Sequence, residues 1–234
     1  MKISYGIACI TGDKRVVIIK KRHSYAFVDW VSQINYESNL SRNLLDYMSV
    51  NEKNLLFKLD FTTIAEEVGL FNPRKAHQSS KYYSRQLAFT NAFLQDGGAK
   101  LHHWLNESLF LFKDNYEIPK GRKHKTERPL DAAVREFQEE TNISRRDYTI
   151  IPIRPHVITF YDAGQKYQYV YYIAVATNLK LSISFKNKEQ IKEVASIHQF
   201  NLEELKSFDK NLYKIYSIIL KRLKNKKIKY PIQT

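Results

Sequence analysis

The sequence predicts an α/β domain split by an all-helical insertion, and three observations predict it. A strand–turn–strand pattern opens the chain, a helical period runs from about residue 28 to 109, and strands return after Phe110 around one strongly amphipathic segment. Residues 2–10 alternate weakly and then run apolar, and Thr11-Gly12-Asp13-Lys14-Arg15 separates them from the apolar stretch Val16 to Lys20. That spacing is a hairpin. Next, Leu40, Leu44, Leu45 and Met48 recur at three- and four-residue intervals, as do Leu55, Leu56, Leu59, Ile64 and Val68, with Asn51 or Asp60 as caps. Tyr82 to Leu94 makes a third helix, stopped by Asp96-Gly97-Gly98, and Trp104, Leu105 and Leu109 mark a short fourth. Beyond Phe110 the pattern predicts a helix at 129–141, strands at 148–154, 156–162, 167–177 and 194–199, and a closing helix from Leu202 to about Lys227. The organisation is residues 1–30 as the first part of the α/β domain, 31–108 as the insertion, and 109–234 as the remainder with a basic C-terminal helix.

Composition narrows the class. Hydrophobic residues at 43% and aromatics at 13% exclude a disordered chain. Seven Gly and six Pro exclude a collagen-like or low-complexity one. No apolar run reaches the ~18 residues of a membrane span, and no signal-peptide core is expected at the N-terminus. The single Cys9, inside Gly6-Ile7-Ala8-Cys9-Ile10, reads as a buried core thiol and fits a reducing compartment.

Charge is unevenly placed. The net charge is +14, yet residues 31–108 carry eight basic and eight acidic groups. Residues 1–30 carry six basic and two acidic groups, and the last fifteen residues carry six basic groups and no acid. Two basic ends around a neutral block point to contact with a polyanion.

One segment carries specific chemistry. Gly121-Arg122-Lys123-His124-Lys125-Thr126-Glu127 is followed, after seven residues, by Arg135-Glu136-Phe137-Gln138-Glu139-Glu140-Thr141-Asn142-Ile143. On a helix Glu136 and Glu140 lie ~40° apart, and Glu139 lies ~60° to the other side of Glu136. Three carboxylates on one arc repel one another unless a cation holds them. Hard oxygen ligands of this kind suit Mg²⁺ or Mn²⁺. Leu130, Ala133, Val134 and Phe137 form the opposite, apolar stripe. Arg135 is placed to pair with a carboxylate, and the Gly121 loop lets backbone approach a metal or phosphate.

This segment resembles the Nudix box, G-x5-E-x7-R-E-U-x-E-E-x-G-U with U apolar, and departs from it only at Asn142, where the family has Gly. That glycine takes a left-handed conformation past the helix end, which Asn tolerates. The resemblance implies an α/β/α sandwich around a mixed sheet and metal-dependent hydrolysis of a diphosphate linked to another moiety. Tyr116-Glu117-Ile118-Pro119-Lys120-Gly121 is similar to the approach to the box in many members. Lys21-Arg22-His23-Ser24-Tyr25-Ala26-Phe27 resembles a stretch of the mRNA-decapping Nudix enzymes of poxviruses and African swine fever virus, which also carry a helical block before the box. Met48-Ser49-Val50-Asn51-Glu52 and Leu59-Asp60-Phe61 are most similar to the latter.

Site roles follow from the resemblance. Glu136 and Glu140 become metal ligands with the Gly121 backbone, and Glu139 a metal ligand or catalytic carboxylate. Glu193, in Glu193-Val194-Ala195-Ser196-Ile197, either reaches the metal, activates water, or is a surface acid on a strand end. Tyr25 is a stacking aromatic for the cap, Tyr169 a candidate for its partner, Asp162 an acid near the base edge or metal, and Lys120 a substrate contact. A methylated guanine carries positive charge, so aromatic faces and a nearby acid suit it. Capped mRNA is the implied partner, its body held sequence-blind by Lys20, Lys21 and Arg22 at one end and Lys221, Arg222 and Lys224 at the other. The implied setting is a viral protein in the host cytoplasm. Two rivals stay open: a Nudix hydrolase of diphosphoinositol polyphosphates or nucleoside diphosphate derivatives, and an RNA-binding module with a vestigial box. The insertion is open to service as a second RNA surface, a lid over the cap, or a homodimer contact.

Overall fold

The structure, a computed structural model, describes residues 1–162, 164–177, 179–184 and 187–226, with the Glu189 side chain outside that description. The chain forms β1 (Lys2–Thr11), β2 (Val16–Lys21), α1 (Tyr25–Val31), α2 (Asn39–Leu45), α3 (Val50–Phe57), α4 (Phe61–Glu67), α5 (Ser80–Phe89) and α6 (Ala99–Glu107). It continues through β3 (Tyr116–Glu117), β4 (Lys120–Gly121), α7 (Pro129–Thr141), β5 (Thr149–Ile150), β6 (His156–Asp162), β7 (Gln165–Ala176), α8 (Lys188–Glu193), β8 (Val194–Phe200), α9 (Leu202–Phe208) and α10 (Lys210–Asn225). None of the described helices is long and apolar enough to cross a membrane.

Two compact units result. One holds residues 1–21 and the described residues from Tyr116 onward; the other holds Arg22–Asn115, wider than the 31–108 that composition marks. The first unit is a mixed sheet. β1 pairs in parallel with β7 from Lys2↔Tyr167 to Thr11↔Ala176, and antiparallel with β2 on its other edge. β8 lies against β2, while β5 and β6 lie against β7.

Strand alternation divides the core into two layers. Ile7, Cys9, Val17, Ala174 and Ala176 pack with Ala133 and Phe137 of α7. Their neighbours Ala8, Ile10, Val16, Ile18, Ile173 and Val175 pack with Leu205, Leu212, Tyr216, Ile219 and Leu223 of α9 and α10. A fully buried aliphatic or Phe side chain contributes about 1.5–3 kcal/mol, so Phe137 alone is a substantial anchor for the box helix. Cys9 is buried in this core as expected, and burial pushes its thiol up to about 12. On α7 the buried stripe is Ala132, Ala133 and Phe137; Leu130 and Val134 are half-buried.

Three elements depart from the periodicity. The closing helix is two helices: Asp209 has extended backbone, and its carboxylate accepts from Asn211 N and Leu212 N, both 2.9 Å away, as the N-cap of α10. The strand expected at 148–154 is only Thr149–Ile150, because Pro152 and Pro155 remove ladder donors. α8 has no counterpart in the sequence reading, since six residues hold too little period to announce a helix.

The helical unit starts earlier than its periodicity because Ser24 caps α1, accepting from Phe27 N at 3.0 Å. Its core stacks Trp30 on Phe93 at 5.6 Å and sets Tyr36 4.7 Å from Trp30. Asp60 caps α4 as read from sequence. Asn51, however, lies inside α3, and Ser49 is the cap, with a reciprocal capping box to Glu52. Gly97 and Gly98, at φ +64° and +88°, end the α5 segment in a conformation that glycine takes without strain.

Candidate active site

Helix α7 starts with Pro129 at its first turn and stops at Asn142, which is left-handed at φ 59° and donates its N–H to the Gln138 carbonyl at 2.8 Å. The helix thus ends as the sequence predicts, and the box glutamates occupy its last two turns. Six carboxylates of this unit are shared between two cationic side chains.

Arg135 holds the first set. Its guanidinium donates to Glu127 at 3.0 and 3.1 Å and to Glu139 at 2.8 Å, and pairs with Glu136 at 2.9 Å. A further bond to the Arg122 carbonyl at 2.9 Å ties the Gly121 loop to the helix. Arg135 hydrogen bonds draw the Glu127 carboxyl down to about 2. Burial pushes Glu136 upward, against the pull of Arg135. The loop must approach closely: a Cβ on Gly121 would overlap the Glu136 carboxylate.

Lys21 holds the second set. Its ammonium lies 3.0 Å from Glu140, 3.2 Å from Glu193 and 3.6 Å from Glu117. Glu140 is 2% exposed and also accepts from Lys120 N at 2.8 Å. Burial pushes its carboxyl up to about 8, with Lys21 opposing and Glu117 adding to the rise. Burial works against the Lys21 charge, but Glu140, Glu117 and Glu193 outweigh it and keep the amine protonated. Glu193 reaches this cluster from the end of α8, whose position is fixed by the C-terminal turn of α7. Asn187 Nδ2 donates to the Glu139 carbonyl at 3.0 Å, and Gln190 Nε2 to the Glu140 carbonyl at 3.1 Å. Those carbonyls lack intrahelical partners, so α8 satisfies them while delivering Glu193. Neither Asn187 nor Gln190 carries a sequence signal for this task. Glu117 is another residue the sequence reading left without a role, although its i,i+3 spacing to Lys120 hints at the pair seen here, 2.5 Å from Lys120 Nζ.

A divalent cation fits this donor set in kind. Six carboxylates face three cations, Lys21, Lys120 and Arg135, so the cluster carries an excess of negative charge on hard oxygen atoms. Among the described residues, no three acidic, His or Cys side chains already stand as a ligand cage; Lys21 and Arg135 lie among the carboxylates instead.

The family model for the NUDIX domain matches residues 85–217. The chain belongs to the NUDIX family. As a Nudix hydrolase, it has relatives of similar length. The mRNA-decapping protein g5R of a Kenyan pig isolate of African swine fever virus is 28% identical over 204 residues, covering 83% of this chain and 81% of that protein. The same protein from a Namibian warthog isolate is 28% identical over 204 residues, covering 83% and 80%. Among solved structures, the C. elegans Ap4A hydrolase binary complex overlaps 47% of this chain and 78% of its own, with 20% identity and a TM-score of 0.40. The match starts well after the first hairpin, yet β1 and β2 lie in the same sheet as the Nudix segment; the helical unit separates them in sequence.

The residues that the sequence offers for substrate contact are placed as follows. Tyr169, on β7, is half-buried, with Lys120 Nζ 4.6 Å above its ring and Phe160 edge-on at 5.0 Å. Asp162 ends β6 opposite Gln165 at the hairpin, whereas Tyr169 pairs with Ile158, so the strands hold Asp162 and Tyr169 several residues apart. Tyr25 belongs to the helical unit, is the first residue of α1 and is 52% exposed. Lys20 is partly exposed and Arg22 exposed. Lys21 corrects the sequence reading: rather than facing RNA, its side chain is 18% exposed and engaged by carboxylates. Lys221 and Lys224 are exposed on α10, and Arg222, which donates to the Arg154 carbonyl, lines a cavity of about 490 Å³ with Arg154 and Lys226. The basic residues beyond Lys226 lie outside the described residues.

Proposed function

We propose that this Nudix hydrolase removes the cap from mRNA, splitting the pyrophosphate bridge to release 7-methyl-GDP and 5′-monophosphate RNA. The observation that carries the reading is the match across most of both chains to viral decapping proteins. The full set of box carboxylates supports it. Glu136, Glu139 and Glu140, with the Gly121 backbone, would hold Mg²⁺ or Mn²⁺. When bound, such an ion neutralises the bridge and lowers the pKa of an attacking water.

The chain's own residues divide the remaining work. Arg135 keeps Glu136 and Glu139 on the loop-facing side of α7. Glu139 and Glu193 are the carboxylates most open to solvent, with side chains 40% and 54% exposed against 15% or less for Glu117, Glu127, Glu136 and Glu140. That exposure supports one of these two as the group that takes a proton from water. Tyr25 and Tyr169 are each candidates to supply an aromatic face for a cationic base, and Asp162, several residues from Tyr169 along the hairpin, is a candidate acid for the substrate or metal. Lys20, Arg22, Lys221, Arg222 and Lys224 hold RNA phosphates, which makes binding salt-dependent. The substrate places the work in the cytoplasm of the cell where the mRNA is translated.

Cap-labelled RNA incubated with the protein and Mn²⁺ or Mg²⁺ should release label that co-migrates with 7-methyl-GDP. Release of phosphate or GDP instead, or turnover of a diphosphoinositol polyphosphate that exceeds turnover of capped RNA, would overturn the cap reading. Unchanged product formation by Glu139→Gln would remove that residue from the chemistry.

A further inference from the structure

We propose that Lys21 is a resident counter-cation of the carboxylate site, holding between Glu140, Glu193 and Glu117 a position that a divalent cation contests. The inference rests on the metal-dependent reading of this site and adds a residue that governs its affinity for the ion. Three elements send one carboxylate each to a single ammonium: β3 sends Glu117, α7 sends Glu140 and α8 sends Glu193. The ammonium donates to Glu140 at 3.0 Å and Glu193 at 3.2 Å, and Glu117 adds an ion pair at 3.6 Å.

The fold aims Lys21 at this point. Alternation along β2 puts Lys21 on the same side as Val17, which packs with α7. Opposite it, the β2–β8 register slips between Lys20 and Lys21, so that Lys20 faces Ser196 but Lys21 faces Val194. The extra residue in β8 is a bulge that brings the α8 end, and Glu193 with it, alongside the ammonium. A solvated surface lysine needs no such arrangement.

The chemistry separates this role from an ordinary ion pair. An ammonium can offset the repulsion among three carboxylates, but it has no vacant orbital to polarise a phosphoryl oxygen. While it sits there, the protein keeps its glutamates gathered; Glu140 belongs to both sets, so when a divalent ion takes its oxygens the amine must give up at least part of its contacts. Lys21 is thus a positioning residue that lowers metal affinity in exchange for an ordered metal-free site.

Mn²⁺ titration of the metal-stripped full chain, followed by the EPR signal of free Mn²⁺, tests this. Lys21→Met should bind Mn²⁺ at least about tenfold more tightly than the natural chain, because one positive charge has left the cluster. Lys21→Arg, which keeps the charge, should stay close to the natural value. Equal or weaker binding by Lys21→Met overturns the proposal. Should Lys21→Met fail to fold, the natural chain labelled with ¹⁵N-lysine answers instead. One ammonium resonance protected from exchange in EDTA, missing from Lys21→Arg, should lose that protection on adding Mg²⁺; protection that survives saturating Mg²⁺ overturns the role. Failure of the natural chain to bind Mn²⁺ at all would sink the metal reading together with this one, whereas Mn²⁺ binding that ignores Lys21→Met would sink only the latter.

Discussion

Glu52 in the helical unit and Glu140 in the Nudix unit are almost equally hidden, 3% and 2% exposed, yet their charges are treated in opposite ways. Glu52 accepts from Ser24 N at 2.6 Å, Ser24 Oγ at 2.9 Å and Ser49 N at 2.8 Å, with His23 Nδ1 3.6 Å away. Burial raises its pKa, but the donors His23, Ser24 and Ser49 outweigh burial and hold the carboxyl below its ordinary value. Glu140 has Lys21 and one backbone N–H, faces Glu117, and is pushed up to about 8. Depth alone therefore does not decide the charge of a carboxylate; the donors arranged around it do. Glu52 is complete within the protein and joins two helix starts. Glu140 is short of positive charge.

The widest separation should come from neutralising each in turn. Glu140→Gln should lower hydrolysis by more than about 100-fold, the upper end of losses for residues that merely support metal ligands. Its metal-free form should melt no lower than the natural chain, since the amide removes a charge that burial disfavours. Glu52→Gln should do the reverse to stability, costing about 2–3 kcal/mol, because the amide cannot accept from every donor that meets the carboxylate. Steady-state decapping and calorimetry in EDTA read the two effects. Glu140→Gln with near-natural turnover, or Glu52→Gln with an unchanged melting temperature, breaks the contrast.

A pH series sharpens it. A lowered folded-state pKa gives stability that is present at neutral pH and lost as pH falls below 4.5, which is the Glu52 case. A raised one gives stability that is present in acid and lost as pH rises from 4.5 through about 8, which is the Glu140 case. In EDTA, the advantage of Glu140→Gln over the natural chain should grow as pH rises from about 5 to about 8. The deficit of Glu52→Gln should instead shrink as pH drops below about 4. Denaturant melts across that range check both slopes. Mg²⁺ should flatten the Glu140 slope, because metal binding to a carboxylate releases its proton.

The two glutamates also mark what a sequence can disclose. The box helix and its end at Asn142 were legible because period, Pro129 and a left-handed Asn act within a few residues of one another. Ser49 and Glu52 have the spacing of a capping box, so the cap is equally local in origin, whereas the helical period alone points to Asn51. Lys21 is different. Its basic neighbours Lys20 and Arg22 place it in a charge run, and only the sheet register, the β8 bulge and a six-residue helix turn it toward Glu140. Glu117 and Gln190 owe their places to the same long-range pairings. Local chemistry fixes which side chains exist along an element, whereas tertiary register fixes which cation meets which carboxylate.

The smallest expected effect tests whether Glu52 owes its character to the helix cap or to the whole set of donors. Ser49→Ala removes the hydroxyl that accepts from Glu52 N at 3.3 Å, but leaves the Ser49 N–H that donates to the Glu52 carboxylate at 2.8 Å. An N-cap substitution of this type costs typically ~1 kcal/mol, and the surviving half of the box should keep the loss at or below that. For a protein of this size that is a fall of about 2–4 °C in melting temperature. Glu52→Gln should therefore melt clearly below Ser49→Ala. If the two melt together, the stabilisation belongs to the first turn of α3, the bonds from Ser24 contribute little, and Glu52 ceases to be the satisfied counterpart of Glu140.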